Sequence, residues 1–456
     1  MSTATHDGTD VELIDSSTRR KALLGSAIGS AVEWYDYFLY GTMASIVFGP
    51  LFFPSEDPTI STLLSLASFA VAFLVRPIGG IIFAHIGDKI GRKKTLVITL
   101  SLMGISTALM GLLPTYATIG VWAAVLLTTL RLVQGLALGG EWGGGVLLAV
   151  EYSRRDRRGF YGAVPQTGAL FGLALGNLTV TAFSTVLSEE AFLSWGWRIP
   201  FLLSVLLVAI GLWIRRMLDE TPSFKKVKKE NTENKVPIVQ IFRTQWRSVL
   251  IAIGAKFIET STFFFFATFI LSYAVSLGYS RTTALNAVLV AAVIAIPVML
   301  VVGAWSDRIG RKKLYLGGII AIVLYIYPFL YLVNLMNTVA LFVAIIVGFS
   351  FIWSIYGALM GTFLAESFTA DVRYTGCSLG YQVGAALVGG PAPLIATALL
   401  AGMHNYIGVG LFVIACGVVS FIAVAVAPDA SLVGHSELQY RDNPGTTVVW
   451  QENTLV

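Results

Sequence analysis

Apolar residues fill this chain in runs far longer than a soluble helix or strand needs. TLVITLSLMGISTALMGLL (95–113) and NAVLVAAVIAIPVMLVVG (286–303) are two of many. Each approaches the roughly 20 apolar residues that carry a helix across a bilayer. Marking the runs off at their polar and Gly/Pro interruptions predicts twelve helices: about 22–49, 60–86, 94–114, 118–150, 160–186, 198–217, 248–277, 282–305, 313–334, 338–365, 375–401 and 406–428. The fourth is long enough to tilt or to extend beyond the bilayer. One strongly polar interruption, RRMLDETPSFKKVKKENTENK (215–235), divides the helices six and six. The pattern is that of an all-α polytopic membrane protein: a tail (1–20), a six-helix bundle (21–217), a linker (218–246), a second six-helix bundle (247–428) and a polar tail (429–456).

Composition agrees and closes other routes. Of 456 residues, 56% are hydrophobic and 12% charged, against roughly 25% charged in a soluble domain. The mean hydropathy is +0.76. Two cysteines, Cys377 and Cys416, both within apolar runs, exclude a disulfide framework or a thiolate metal cluster. The first apolar run is too long and polar for a signal-peptide core. With the N-terminus placed in the cytoplasm, 26 of the 31 Lys and Arg residues fall on the cytoplasmic side, as positive charge does in membrane proteins. Arg198 and Arg281 fall outside, and Arg76, Arg131 and Lys256 within spans. The net charge of +5 therefore reports topology; no basic stripe interleaved with aromatics suggests a nucleic acid. Four scattered histidines (His6, His85, His404, His435) and no HExxH pattern leave an intramembrane enzyme without a catalytic constellation. No cofactor is expected, and no G-x-x-x-x-G-K-[ST] loop is present to bind ATP.

The chain repeats itself. GDKIGRKK (87–94) returns as SDRIGRKK (306–313), 219 positions later from Asp88 to Asp307. Glu151 precedes Arg158 by seven residues, as Glu366 precedes Arg373, at an offset of 215. Two features recurring at nearly one period indicate a duplicated six-helix unit, with each octet joining the second and third helix of its half.

These residues carry a resemblance. The run 303–313 (G-x-x-x-D-R-x-G-R-K-K), its partner ending in DKIGRKK, and RLVQG (131–135) resemble the signature of the major facilitator superfamily. EWYDYFLYG (33–41), VRPIGG (75–80), GGEWGGG (139–145), WGWRIPF (195–201) and ETPSF (220–224) resemble its metabolite:proton symporter family, which includes permeases for shikimate, 2-oxoglutarate, citrate and proline/betaine. The match spans about residues 20–430. Ala84 stands where the first octet's pattern has glycine, whereas Gly303 fits.

The octet reads physically as a latch. Asp88, between two helices, is able to accept from free N–H groups at a helix start and offset its positive end. Gly91 allows the sharp reversal, and Arg92 reaches towards Glu151, near Arg158. The second set is Asp307, Gly310, Arg311, Glu366 and Arg373. The resemblance implies that these turns close the cytoplasmic side when the protein faces outward.

Seven ionisable groups lie inside spans: Glu33, Asp36, Glu141 and Glu259, with Arg76, Arg131 and Lys256. Each costs about 2.5–3.5 kcal/mol or more at the bilayer centre unless paired or hydrated. Four acids against three bases leave one carboxyl over, and a desolvated carboxyl without a partner takes a proton. Glu33 and Asp36, at i and i+3 on one helix face, are the site expected for it and would titrate together. In related symporters a helix-1 aspartate faces a helix-4 arginine; the resemblance assigns those roles to Asp36 and Arg131. Arg76, just before Pro77, reads as a brace or a third member. Lys256 and Glu259 repeat the i, i+3 spacing 223 residues after Glu33 and Asp36; they read either as a self-neutralising pair or as a cationic lure for an anionic substrate.

Gln166 after Pro165, and Tyr381–Gln382 before GGPAP (389–393), are expected beside helix breaks that line a cavity. Tyr37 joins them. Tyr40, Asn177, Trp353 and Tyr356 read first as packing. Together these expectations describe secondary active symport of a proton and a small organic acid by a monomer. It would sit in a bacterial inner membrane with both termini cytoplasmic. A zwitterionic osmolyte is the alternative cargo, disfavoured by a tail (429–456) without coiled-coil heptads. A transporter-derived sensor is the remote alternative.

Overall fold

A lipid environment leaves every backbone N–H and C=O to be satisfied within the chain, so long apolar runs become helices. The computed structural model describes residues 16–90, 92–139, 150, 157–217, 237–369 and 372–428. Gly91, Glu141 and Glu151 and the side chains of Asp88 and Arg92 lie outside what is described, and with them the first octet's expected latch.

Among the described residues twelve long helices are present: α1 (Ser16–Ile46), α2 (Pro58–Ile90), α3 (Arg92–Leu112), α4 (Val121–Gly139), α5 (Arg158–Val186), α6 (Arg198–Met217), α7 (Trp246–Ser276), α8 (Arg281–Ile309), α9 (Arg311–Asn334), α10 (Thr338–Glu366), α11 (Arg373–Met403) and α12 (Ile407–Val426). Among the described residues nine helices are long and apolar enough to cross a membrane by themselves. A bent pair, Glu189–Gly196 with Arg198–Trp213, makes a tenth. α1, which carries Glu33, Asp36 and the basic Arg19–Lys21, is not among them. The outer faces are apolar, with Leu74, Trp122, Trp213 and Leu324 all exposed, as a lipid-facing surface requires.

The second octet is not a loop. α8 continues to Ile309 and α9 begins at Arg311, leaving Gly310 alone as the joint, with φ of +97°. Only glycine adopts that backbone without a Cβ clash.

The expected breaks are also absent. α5 runs unbroken through Pro165. In α11 the chain widens into a π-helical turn at Ala385–Gly389 and continues at Pro391. Gly390 N–H bonds Ala385 O five residues back at 3.2 Å. Because Pro391 has no N–H and its ring crowds the preceding turn, a π turn keeps the helix whole. α7 and α10 carry similar turns at Phe265–Phe269 and Ile346–Trp353.

Small residues set the closest crossings. A Cβ on Gly79, Gly135 or Gly139 would stand within 2.0–2.4 Å of a carbonyl oxygen on the facing helix, α4 for the first and α2 for the others. Gly79 of VRPIGG, Gly135 of RLVQG and Gly139 thus lock α2 against α4. α5 and α8, from opposite halves, cross at Gly159 and Gly303.

Candidate functional site

Where α1, α2, α4 and α7 converge, the in-span charges gather around an aromatic cluster. Tyr37 packs against Phe69, Phe73 and Phe264, and Phe38 against Phe263, so rings from both halves meet. Beside them is a cavity of about 30 Å³, lined by Trp34, Phe38, Gln166, Lys256, Glu259, Thr260, Phe263, Phe264, Trp353 and Tyr381. That is room for a water or two.

The charges are not matched. Lys256 Nζ bonds Glu259 Oε2 within α7 and lies 3.7 Å from the Tyr381 ring centre. The two charges thus pair within one helix. Arg131 is fully buried. Among the described residues it has no acid partner; its guanidinium lies 4.1 Å from the Tyr37 ring and 4.3 Å from the Tyr40 ring, with Nη1 donating to Gln134 Oε1. Arg76, 1% exposed, sits among the rings of Trp34, Tyr37, Phe73 and Tyr381. None of its three nitrogens has a hydrogen bond of good geometry. Desolvated cation–π contacts contribute about 2 kcal/mol, which offsets part of the cost of a buried guanidinium but supplies no counter-charge.

Asp36 is fully buried, and neither carboxyl oxygen has a hydrogen-bond partner of good geometry. The Asp36–Arg131 ion pair expected from the resemblance is therefore not formed here. Arg131 is instead drawn onto the tyrosine faces, where the π-electrons stand in for an anion. Glu33 is buried one turn away.

The remaining candidates divide. Gln166 Nε2 donates to Gly357 O at 3.4 Å, and Gln382 Nε2 donates to Gly139 O at 3.0 Å; both bridge the halves. Trp353 Nε1 bonds Glu259 O at 2.9 Å, and Tyr356 Oη pairs with Thr262 at 2.9 Å. Tyr40 pairs with Ser68, and Asn177 accepts from Thr42. Sequence reasoning missed Thr107 on α3, whose hydroxyl receives Gln134 Nε2 at 2.9 Å, and Gln134 itself, although it lies inside the RLVQG motif. Thr107 carries no sequence signal, being one short hydroxyl in an apolar run.

At the octet end, Asp307 accepts from the N–H groups of Gly159 (2.7 Å) and Phe160 (3.1 Å). It thus caps the start of α5 in the opposite half, not the helix start beside it, because the glycine crossing brings α5 within reach. Arg311 holds Asp307 at 3.0 Å and Glu366 at 3.2 Å. Arg373, expected in this set, donates to Phe368 O at 3.2 Å, a local tie at the start of α11. Arg158 offers its carbonyl to Thr362 at 3.4 Å. At the other end Ser45 Oγ on α1 donates to Thr268 O on α7 at 3.0 Å, so both ends are bridged.

The sequence profile described as Major Facilitator Superfamily matches residues 26–393. The chain is 40% identical to the inner membrane metabolite transport protein YhjE of Escherichia coli (strain K12), covering 93% of this chain and 97% of that one. It is 36% identical to the shikimate transporter of the same organism, over 94% and 98%. Identity to that organism's proline/betaine transporter is 35%, over 91% and 84%. Among solved structures, the partially occluded inward-open xylose transporter XylE from E. coli superposes with a TM-score of 0.70 at 16% identity, covering 90% of this chain and 97% of that one. That likeness is one of fold.

Proposed function

This chain belongs to the major facilitator superfamily, and on that premise we propose that it is a proton-coupled symporter importing a small organic acid. It is a multi-pass membrane protein with the fold of metabolite transporters, and its relatives are transporters rather than enzymes.

One observation carries the reading: the central charges do not cancel among themselves. Lys256 is neutralised by Glu259, while among the described residues neither Asp36 oxygen has a hydrogen-bond donor of good geometry and Arg76 pairs with no acid. A bare carboxylate at Asp36 would be costly, and a proton removes that cost. A buried guanidinium without an anion is also costly, and a substrate carboxylate supplies the anion. Proton and organic anion together complete the site, so closure around both is favoured over closure around either alone. The halves then rock about the centre, opening one bridged end at a time. We place the N-terminus in the cytoplasm from the Lys/Arg distribution, with the octets on the cytoplasmic side of a bacterial inner membrane and one chain as the working unit.

Two relatives suggest the cargo. The shikimate transporter supports a small carboxylate, cyclic or dicarboxylic, with its ring or chain against Trp34, Phe263 and Trp353. The same aromatic walls with the Glu259 carboxylate also suit a quaternary ammonium, so a betaine-like zwitterion is the second reading. Proteoliposomes with an imposed inward pH gradient distinguish them, using labelled shikimate, 2-oxoglutarate, citrate, proline and betaine. Uphill uptake of a carboxylate, lost in Asp36→Asn, is expected. Accumulation that survives both that substitution and collapse of the pH gradient at constant voltage overturns the proposal.

A further inference from the structure

The polar linker between the halves ends in a short helix, Pro237–Thr244, which opens on a proline whose missing N–H would have had no partner in that first turn. α7 follows at Trp246, after the single residue Gln245. Gln245 leaves helical backbone (φ −134°, ψ 29°), yet its N–H bonds Ile241 O at 2.8 Å and its O accepts from Val249 N–H at 3.1 Å. Its side chain is also held: Nε2 donates to Thr369 Oγ1, and Oε1 accepts from Thr369 N–H at 3.4 Å. Ile241 is fully buried. The short helix is therefore seated on the second half, beside the α10–α11 connection at the octet end.

Its outward side is mixed in a particular way. Phe242, Trp246 and Leu250 are exposed at intervals of four, and Arg243 and Arg247 are exposed next to them. An apolar stripe thus runs from the short helix onto the lipid-facing start of α7, with a cationic stripe along its edge. The Arg247 guanidinium lies 5.6 Å from the Trp246 ring. Among the described residues neither Arg243 nor Arg247 pairs with an acid, and the sequence holds no Asp or Glu from Asn234 to Ile258. Water would satisfy the two cations alone, but it does not account for a phenyl and an indole turned outward beside them.

We propose that Phe242, Arg243, Trp246 and Arg247 bind the headgroup of an anionic phospholipid. The guanidinium forks match the phosphate oxygens. The two rings sit at headgroup depth, where aromatic side chains gather in membrane proteins, and an acyl chain continues along Leu250 and the outer face of α7. A zwitterionic lipid carries the same phosphate, but its ammonium group meets no carboxylate on this stretch, so net charge decides between the two. Each cation near an anionic leaflet favours it about fivefold, and two together about 25-fold. The site needs neither Asp36 nor a cargo, so it stands or falls separately from the proposed coupling.

Fluorescence quenching in lipid nanodiscs tests it on the full-length protein. Brominated phosphatidylglycerol and brominated phosphatidylcholine are compared over the same range of minor fractions. The chain has ten tryptophans, so the Trp246 contribution is taken as the part lost in Trp246→Phe. That contribution is expected to be quenched by phosphatidylglycerol at a markedly lower fraction, by up to about 25-fold. Arg243→Gln/Arg247→Gln should abolish the preference while leaving quenching by phosphatidylcholine in place, which shows that the helix is still seated at the bilayer. Arg243→Lys/Arg247→Lys keeps both charges and should keep most of the preference. Equal quenching by the two lipids in the parent, or a preference that survives the glutamine variant, overturns the headgroup site. Absence of quenching by either lipid puts the short helix away from the bilayer and overturns it as well.

Discussion

Arg76 is the residue at which the sequence and the structure part most usefully. A base before a proline suggested a brace, yet its guanidinium is ringed by four aromatics and, among the described residues, pairs with no acid, while Lys256, for which a cationic lure was one reading, already has Glu259. The substrate's negative charge is therefore expected to depend on Arg76 more than on Lys256. Arg76→Gln should raise the KM for a transported carboxylate roughly 10- to 100-fold, the worth of a bond to a charged group. Competition by a neutral analogue should change little, and equal effects on both would remove Arg76 from the anion site. Lys256 and Glu259 predict a different signature. Removing one partner of a buried pair strands the other at about 3–5 kcal/mol. Lys256→Ala should thus lower thermal stability in detergent, and the double variant Lys256→Met/Glu259→Leu should recover most of it. A double variant no more stable than the single would argue against a self-contained pair.

At the scale of helices, single glycines decide where elements meet and turn. Gly310 holds φ of +97° between α8 and α9, so Gly310→Ala should cost about 1–2 kcal/mol while membrane insertion stays normal. Thermal unfolding with a membrane-fraction assay checks both parts, and an unchanged midpoint would remove the strained joint. Gly159 is tighter: a Cβ there would stand 2.1 Å from Ser306 Oγ and 2.5 Å from Gly303 O. Gly159→Val should push α5 from α8 and expose cysteines introduced at the octet end to a membrane-impermeant reagent. Labelling no faster than in the parent would show that the crossing absorbs the methyl groups elsewhere. The proline positions teach the converse lesson. A proline mid-run reads as a break, but α11 removes the clash by widening one turn, and the backbone keeps its bonds.

Across the whole molecule, Asp307 ties the second half to the start of α5 and is itself held by Arg311 and Glu366. Charge-assisted bonds to two N–H groups are worth a few kcal/mol, enough to move a two-state balance by one or two orders of magnitude. Asp307→Ala should therefore populate the state open at the octet end. Paired spin labels on the octet ends of α5 and α8 should report a longer mean distance. An unaltered distribution would mean that the glycine crossing alone keeps that end shut. These contacts were partly legible beforehand, because the repeated octet and the Glu366 echo named Asp307, Arg311 and Glu366. That Asp307 would cap the opposite half was not, since a repeat within each half suggests contacts within each half.

The chain's order of residues determines that it lives in a bilayer, that it is built twice, and which few charges enter its spans. Each follows from terms local to the sequence: the transfer energy of an apolar run, the offset of a repeated octet, the cost of burying an ion. Which charges find partners was decided only on folding. Glu259 lies one turn from Lys256 and needs no other helix, so that pair was legible. Arg131 meets two tyrosine faces from α1, and its partner Gln134 meets Thr107 from α3, through the convergence of three separate helices. Local spacing carries no record of such meetings. Tertiary packing therefore made the unbalanced centre on which the proposed site for a proton and an anion rests.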